Sequence, residues 1–242
     1  MTIIIRTSTC GRAYDLTLDR ILQHGRCVTT EDGEQTIEAT EPIDIHVSSP
    51  MDTPRLSNKN PHKQAFVDQY VTQVLEGTDA DFTYDYHQRL FEFDHKFMDI
   101  GMGPVNQIKL ITEDLKRQPL TRRAVASTWD QWVDSASEHP PCLNHMQFLV
   151  REGALNMHVV FRSNDMLSAF GDNMFAFTAL QEQIAADLNL ACGYYEHKSN
   201  SAHIYYERDW EELSKAMGTK FFKTKSFRAN IPEKLLKFVD AQ

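Results

Sequence analysis

Cys142 follows a Pro140-Pro141 pair and precedes Leu143-Asn144, and twenty residues later the chain carries Arg162-Ser163-Asn164-Asp165 and then Asn173. A proline fixes its own φ and restricts the residue before it, so the backbone leading to Cys142 is stiff. A thiol attacks only as the thiolate, and a thiolate at neutral pH needs a cation beside it. Arg162 offers a planar charged fork and Ser163 a neutral donor, a combination suited to phosphate. Together these residue types describe a nucleophile next to an anion site. Each also has a plainer reading: Cys142 as a buried structural cysteine, and Arg162 with Asp165 as a surface ion pair.

Other residues join the set. The amide of Asn173 carries both an acceptor and a donor, so it can pair with a ring N–H and an adjacent carbonyl, the edge of uracil. An ionised Asp there would offer acceptors only and would suit the amino edge of cytosine. A helix N-cap is the alternative role for Asn173. His203 and Tyr205 share a strand face with Ser201, where they can hold a sugar hydroxyl or serve as ordinary sheet residues. Arg122 and Arg123 would point to opposite faces of a strand, so both reach one anion only from a turn. The cluster His87-Gln88-Arg89, after Tyr84 and Tyr86, has no assigned role.

The formal net charge of -9 argues against a nucleic-acid polymer as partner, because such binding rests on clustered Lys and Arg. The four cysteines, Cys10, Cys27, Cys142 and Cys192, show no CxxC spacing, and the histidines form no HExxH pair, so neither a metal nor a disulfide framework is expected. The Ile3-Ile4-Ile5 run is too short for a signal peptide or a membrane span. The expectation is a cytoplasmic, soluble chain.

The elements that must position these residues follow from periodicity. Helices are expected at 14–24, 63–76, 104–117 with Pro104 in its first turn, 174–190 and 208–217. Strands are expected at 35–47, 123–129 and 203–206, with a hairpin in which 146–150 turns at Glu152-Gly153 and returns through 155–161. Residues 48–62 read as loop, and the tail from Lys220 has no clear period. The mixture predicts an α+β fold in one domain spanning 1–242.

In this order and with these gaps, the residues resemble the thymidylate synthase family, either its short archaeal-type members or the related phage pyrimidine-nucleotide hydroxymethylases. The resemblance runs from about Tyr14 to Tyr206. It is carried by Pro141-Cys142, Arg162-Ser163-Asn164-Asp165, Asn173, His203-Ile204-Tyr205, Thr121-Arg122-Arg123 followed by Trp129, and Tyr86 followed by Arg89-Leu90. It implies a mixed sheet flanked by helices and a homodimer formed through the sheet. It implies Cys142 as the nucleophile toward C6 of a dUMP-type nucleotide, with 5,10-methylenetetrahydrofolate as one-carbon donor and no metal. Arg162 and Ser163 would hold the 5′-phosphate together with Arg122 and Arg123 of the other subunit. Asp165 would serve the folate side, Asn173 would read the base, and His203 with Tyr205 would hold the 3′-hydroxyl. Tyr86 and Asn144 are additional candidates.

The chain departs from the family pattern in several places. Leu143 stands where a His usually follows the cysteine, and Asn144 resembles the hydroxymethylase pattern. The family's glutamate falls near Tyr70, with Asp68 the nearest carboxylate. No Trp lies between Gly77 and Tyr86, and the tail Phe238-Val239-Asp240-Ala241-Gln242 lacks the usual closing segment. The expected product is thymidylate from dUMP. The alternative is 5-hydroxymethylation of dUMP or a cytidine nucleotide, in which water traps the methylene. A more distant alternative is an idle homologue that binds nucleotide or RNA.

Overall fold

Alternating apolar residues at 3–7, 43–47, 143–151, 154–161 and 191–199 build the sheet that carries the molecule. The computed structural model describes residues 2–78, 85–94 and 103–242. The chain opens with strand β1 (Ile3–Thr7) and helix α1 (Cys10–His24), continues through β2 (Arg26–Thr29), β3 (Gln35–Glu38) and β4 (Ile43–Val47), and then forms α2 (Gln64–Glu76), α3 (Tyr86–Phe91) and α4 (Gln107–Arg117). Next come β5 (Val125–Ser127), α5 (Gln131–Asp134), β6 (Leu143–Arg151), β7 (Ala154–Phe161), β8 (Asn164–Asp165) and α6 (Phe170–Asp187). The chain ends with β9 (Ala191–Ser199), β10 (Ala202–Ile204), α7 (Trp210–Met217), α8 (Lys225–Asn230) and α9 (Glu233–Ala241).

One sheet has six strands in the order β1-β4-β9-β7-β6-β5, with β1/β4 and β7/β9 parallel and the other pairs antiparallel. The second has the order β2-β3-β10-β8. The α+β expectation holds, with two sheets in place of one. On the large sheet, Ile5, Ile43, Ile45, Val47, Phe148, Met157, Val159 and Tyr195 point into a core covered by α1 and α6. Residues alternating with them, among them Ile4, His46, His158 and Glu196, keep solvent exposure. Helix α1 is capped by the Thr9 side chain, which accepts from the Arg12 N–H, a contribution of about 1 kcal/mol. The β6–β7 hairpin turns at Glu152 (φ 53°) and Gly153 (φ 78°), both left-handed as a two-residue hairpin turn requires.

Three expectations are corrected. The single strand at 35–47 is two strands in different sheets, because Pro42 brings no N–H to a ladder and breaks the run before Ile43. Pro104 lies outside its helix. Asn106 caps α4 by accepting from the Lys109 N–H, and the helix starts at Gln107. The apolar helix expected from 174 starts at Phe170, so Asn173 is not its N-cap; its N–H is already bonded to Ala169 O. β1, β9 and the C-terminal helices have no counterpart in the sequence reading. In α9, Leu235 is fully buried and Lys234 Nζ reaches Gln35 Oε1 and Thr29 Oγ1 of the β2–β3 hairpin.

Candidate active site

The β6–β7 pairing sets Cys142 beside Arg162. Leu143 is in register with Phe161, and the Arg162 N–H donates to Cys142 O at 2.9 Å. The Arg162 side chain then reaches back over the stiff Pro-Pro segment. Its Nε donates to Pro141 O at 3.0 Å and its Nη2 to Pro140 O at 2.7 Å, while the guanidinium lies 5.9 Å from the Trp129 ring centroid. The arginine therefore latches the approach to the cysteine as well as carrying charge. Behind them the buried Tyr86 hydroxyl accepts from the Leu143 N–H at 3.2 Å, and its ring packs edge-on against Phe177 of α6.

Cys142, Arg162, Ser163, Asp165, His203 and Tyr205 line one cavity of about 420 Å³, a size that suits a nucleotide. His203 is mostly buried, and its Nδ1 lies 3.3 Å from Ser201 O. A carbonyl only accepts, so Nδ1 carries the proton and Nε2 is left as an acceptor for a hydroxyl. Burial holds its pKa below that of an ordinary histidine, although the Asp165 carboxylate pulls the other way, so the ring is neutral near pH 7. The Tyr205 ring lies under the Arg208 guanidinium at 3.8 Å, and burial raises its phenol pKa. Asp165 is committed on both oxygens: Oδ1 accepts from the Leu167 and Ser168 N–H groups, and Oδ2 accepts from Arg208 Nη2 at 2.9 Å.

The remaining candidates lie elsewhere. Asn173 is buried in the first turn of α6, bonded to Tyr70, and does not line the cavity. Arg122 and Arg123 are exposed on the loop between α4 and β5 and line a separate shallow depression with Gln118 and Thr121. Asn144 occupies the bulge of β6, where its carbonyl accepts from the Thr128 N–H. Arg89 is held structurally, forked onto Asp134 at 2.7 and 3.1 Å. His87 stacks on Phe91, and Tyr84 lies outside the described residues.

Sequence reasoning missed four carboxylates of the cavity, Glu31, Asp32, Glu38 and Glu138, and a histidine. Glu38 comes in because β3 pairs with β10, opposite His203, and it accepts from Ser201 Oγ at 2.6 Å. Glu138 and His139 stand directly before Pro140, and Asp32 comes from the turn after β2. The adjacency of Glu138-His139 to Pro140 was a visible signal; nothing local marked Glu38. Among the described residues, no cluster of three or more His, Cys, Asp or Glu could hold a metal ion. No described helix is long and apolar enough to cross a membrane.

A mixed α+β fold with a cysteine, an arginine and a neutral histidine around one nucleotide-sized cavity describes a class of group-transfer enzyme. The chain belongs to the thymidylate synthase family, whose model matches residues 60–239. A Methanocaldococcus jannaschii protein named "Putative thymidylate synthase" is 37% identical over 218 residues, covering 88% of this chain and 95% of its own length. One from Methanococcoides burtonii with the same name is 31% identical over 217 residues, 88% of this chain and 93% of its own. A "Thymidylate synthase" of Staphylococcus haemolyticus is 32% identical over 100 residues, 41% of this chain and 31% of its own. As a member of this family, the protein is an enzyme that transfers a one-carbon unit to a pyrimidine nucleotide.

Proposed function

We propose that this protein is a thymidylate synthase acting as one domain over residues 1–242. It converts dUMP to dTMP with 5,10-methylenetetrahydrofolate as co-substrate, in the cytoplasm and as a homodimer. The observation that carries this reading is the convergence of Cys142, Arg162, Ser163, His203 and Tyr205, from three separate stretches of chain, on one cavity. The Cys142 thiolate adds to C6 of the pyrimidine, which makes C5 enolate-like and nucleophilic. C5 takes the methylene that the folate supplies and loses its proton, the folate nitrogen leaves, and a hydride from the tetrahydrofolate reduces the exocyclic methylene to methyl as Cys142 is expelled, which leaves dihydrofolate. Ser163 and Arg162 bind the 5′-phosphate, and His203 Nε2 accepts from the 3′-hydroxyl. Asp165, fixed by two backbone donors and Arg208, serves the folate side.

The balance of charge favours a second subunit. Carboxylates of Glu31, Asp32, Glu38, Glu138 and Asp165 line the cavity; Arg208 is taken up by Asp165 and Asp209 and Arg26 lies by Glu38, so Arg162 is the guanidinium among the lining residues. A phosphate dianion needs more positive charge than that. Arg122 and Arg123 are exposed, make no ion pair among the described residues and line a depression separate from the cavity, so they are available to a partner's cavity.

Hydroxymethylation is the second reading. Leu143 stands where the family usually has a His and is fully buried against Phe161, and the resemblance puts the family's glutamate near Tyr70, with Asp68 the nearest carboxylate. The deciding experiment incubates the protein with dUMP and methylenetetrahydrofolate and separates the products. TMP with dihydrofolate is expected. Hydroxymethyl-dUMP with tetrahydrofolate selects the second reading, and the absence of both with dUMP and dCMP overturns the enzyme assignment.

A further inference from the structure

Asn173 sits on the face of α6 that looks at the large sheet. Phe177, one turn on, packs against Tyr86 at 5.6 Å and Phe161 at 6.0 Å, and Phe161 is the register partner of Leu143. Gln181, another turn on, donates to Leu155 O near the far end of β7. Asn173 therefore lies beyond Phe177 toward the end of the sheet that carries Cys142 and Arg162. There α2 packs across α6, and the Tyr70 hydroxyl donates to Asn173 Oδ1 at 2.7 Å.

An asparagine amide reads two bases. With Oδ1 toward a ring N3–H and Nδ2 toward O4, it matches uracil. Turned over about its last bond, it presents Nδ2 to an unprotonated N3 and Oδ1 to an amino group, which is cytosine. The two orientations have nearly the same shape, so the choice rests on what holds the far side of the amide. A phenol donates better than it accepts, because its oxygen lone pair is delocalised into the ring. It therefore selects Oδ1, which has two lone pairs and can still accept from N3–H.

We infer that Tyr70 is a specificity-determining positioning residue, whose hydroxyl fixes the Asn173 amide in the uracil-reading orientation. This inference rests on the role that the family resemblance gives Asn173, reading the base, and it requires the pyrimidine to reach past the cavity wall described above to the buried amide.

The test measures kcat/KM and Kd for dUMP and dCMP on the parent, Tyr70→Phe, Asn173→Asp and the double variant. Tyr70→Phe is expected to lower the preference for dUMP over dCMP by about tenfold, the worth of one strong hydrogen bond, chiefly through KM for dUMP. In the Asn173→Asp background the same change is expected to leave the preference within about twofold, because a carboxylate has no donor end to orient. A tyrosine that only supports packing would weaken both nucleotides alike in both backgrounds, and that result overturns the inference. Tyr70→Met repeats the measurement if the phenylalanine variant does not fold. If the parent forms a Cys142 adduct with dUMP while the preference survives Tyr70→Phe, only the role of Tyr70 fails. If the parent forms no adduct with either nucleotide, the proposed function fails with it.

Discussion

Cys10 and Cys142 each stand at the start of an element, yet the two sites treat a thiol in opposite ways. Cys10 is the first residue of α1, where the amide dipoles favour an anion. It is nevertheless fully buried with its Sγ 3.7 Å from Pro50 O, and burial pushes its pKa up to about 12 against the opposing pull of Arg55. Cys142 has no helix behind it, but it is partly exposed on a cavity wall that Arg162 shares. Desolvation outweighs a helix terminus, so reactivity follows access to a cleft and a cation within it.

That contrast can be broken in graded ways. The largest effect expected is from Cys142→Ser, which should lower kcat by about 10⁴-fold or more, as losing a covalent nucleophile does. Cys10→Ala should leave kcat unchanged within about twofold and cost roughly 1 kcal/mol in urea unfolding from the small void. Equal losses in the two variants would end the distinction between the sites. Next, Arg162→Ala should lower kcat/KM for dUMP by about 10³-fold, because it removes a phosphate contact and the latch on Pro140 and Pro141. Arg162→Lys should recover only a small part, since an ammonium cannot fork onto two carbonyls.

The proposed sharing of the cavity between two subunits gives a complementation test. Cys142→Ser and the Arg122→Ala/Arg123→Ala double variant should each be inactive. Mixed through a denaturation and refolding cycle, they should regain about a quarter of parental activity, since half the dimers carry one intact site. No recovery would place the arginines outside the partner's cavity.

The smallest effect extends the rule for buried groups to an imidazole. His197 is buried against Phe161 and Phe170, hydrogen-bonded to Asn164 Oδ1 at 2.8 Å, and burial lowers its pKa to about 3. The unfolded chain binds this proton near pH 6.5 and the folded chain does not. Its stabilising contribution is therefore full above about pH 6.5 and falls by up to about 1.4 kcal/mol per pH unit as the pH drops toward 3. Urea midpoints between pH 4.5 and 7.5 should show this slope, and His197→Gln should flatten it.

The sequence made the fold class legible where one period runs unbroken, as in the β6–β7 hairpin and α6. It misled at 35–47, where two strands with the same alternation belong to different sheets and only Pro42 marks the break. Of the candidate site, Cys142, Arg162, Ser163, Asp165, His203 and Tyr205 could be read because motif spacing fixed them. Glu38 could not, because it enters through pairing with β10, a contact that no local pattern encodes. The Tyr70–Asn173 bond was hidden for the same reason, since it joins helices more than a hundred positions apart.

The C-terminal helix has a bearing on the cavity that its distance from Cys142 in the chain conceals. Lys234 grips Thr29 and Gln35, and the β2–β3 turn between them supplies the wall at Thr30, Glu31 and Asp32. Leu235 plugs the core beneath. α9 is thus a buttress, and the stiffness of the nucleotide's doorway is borrowed from the last turns of the polypeptide.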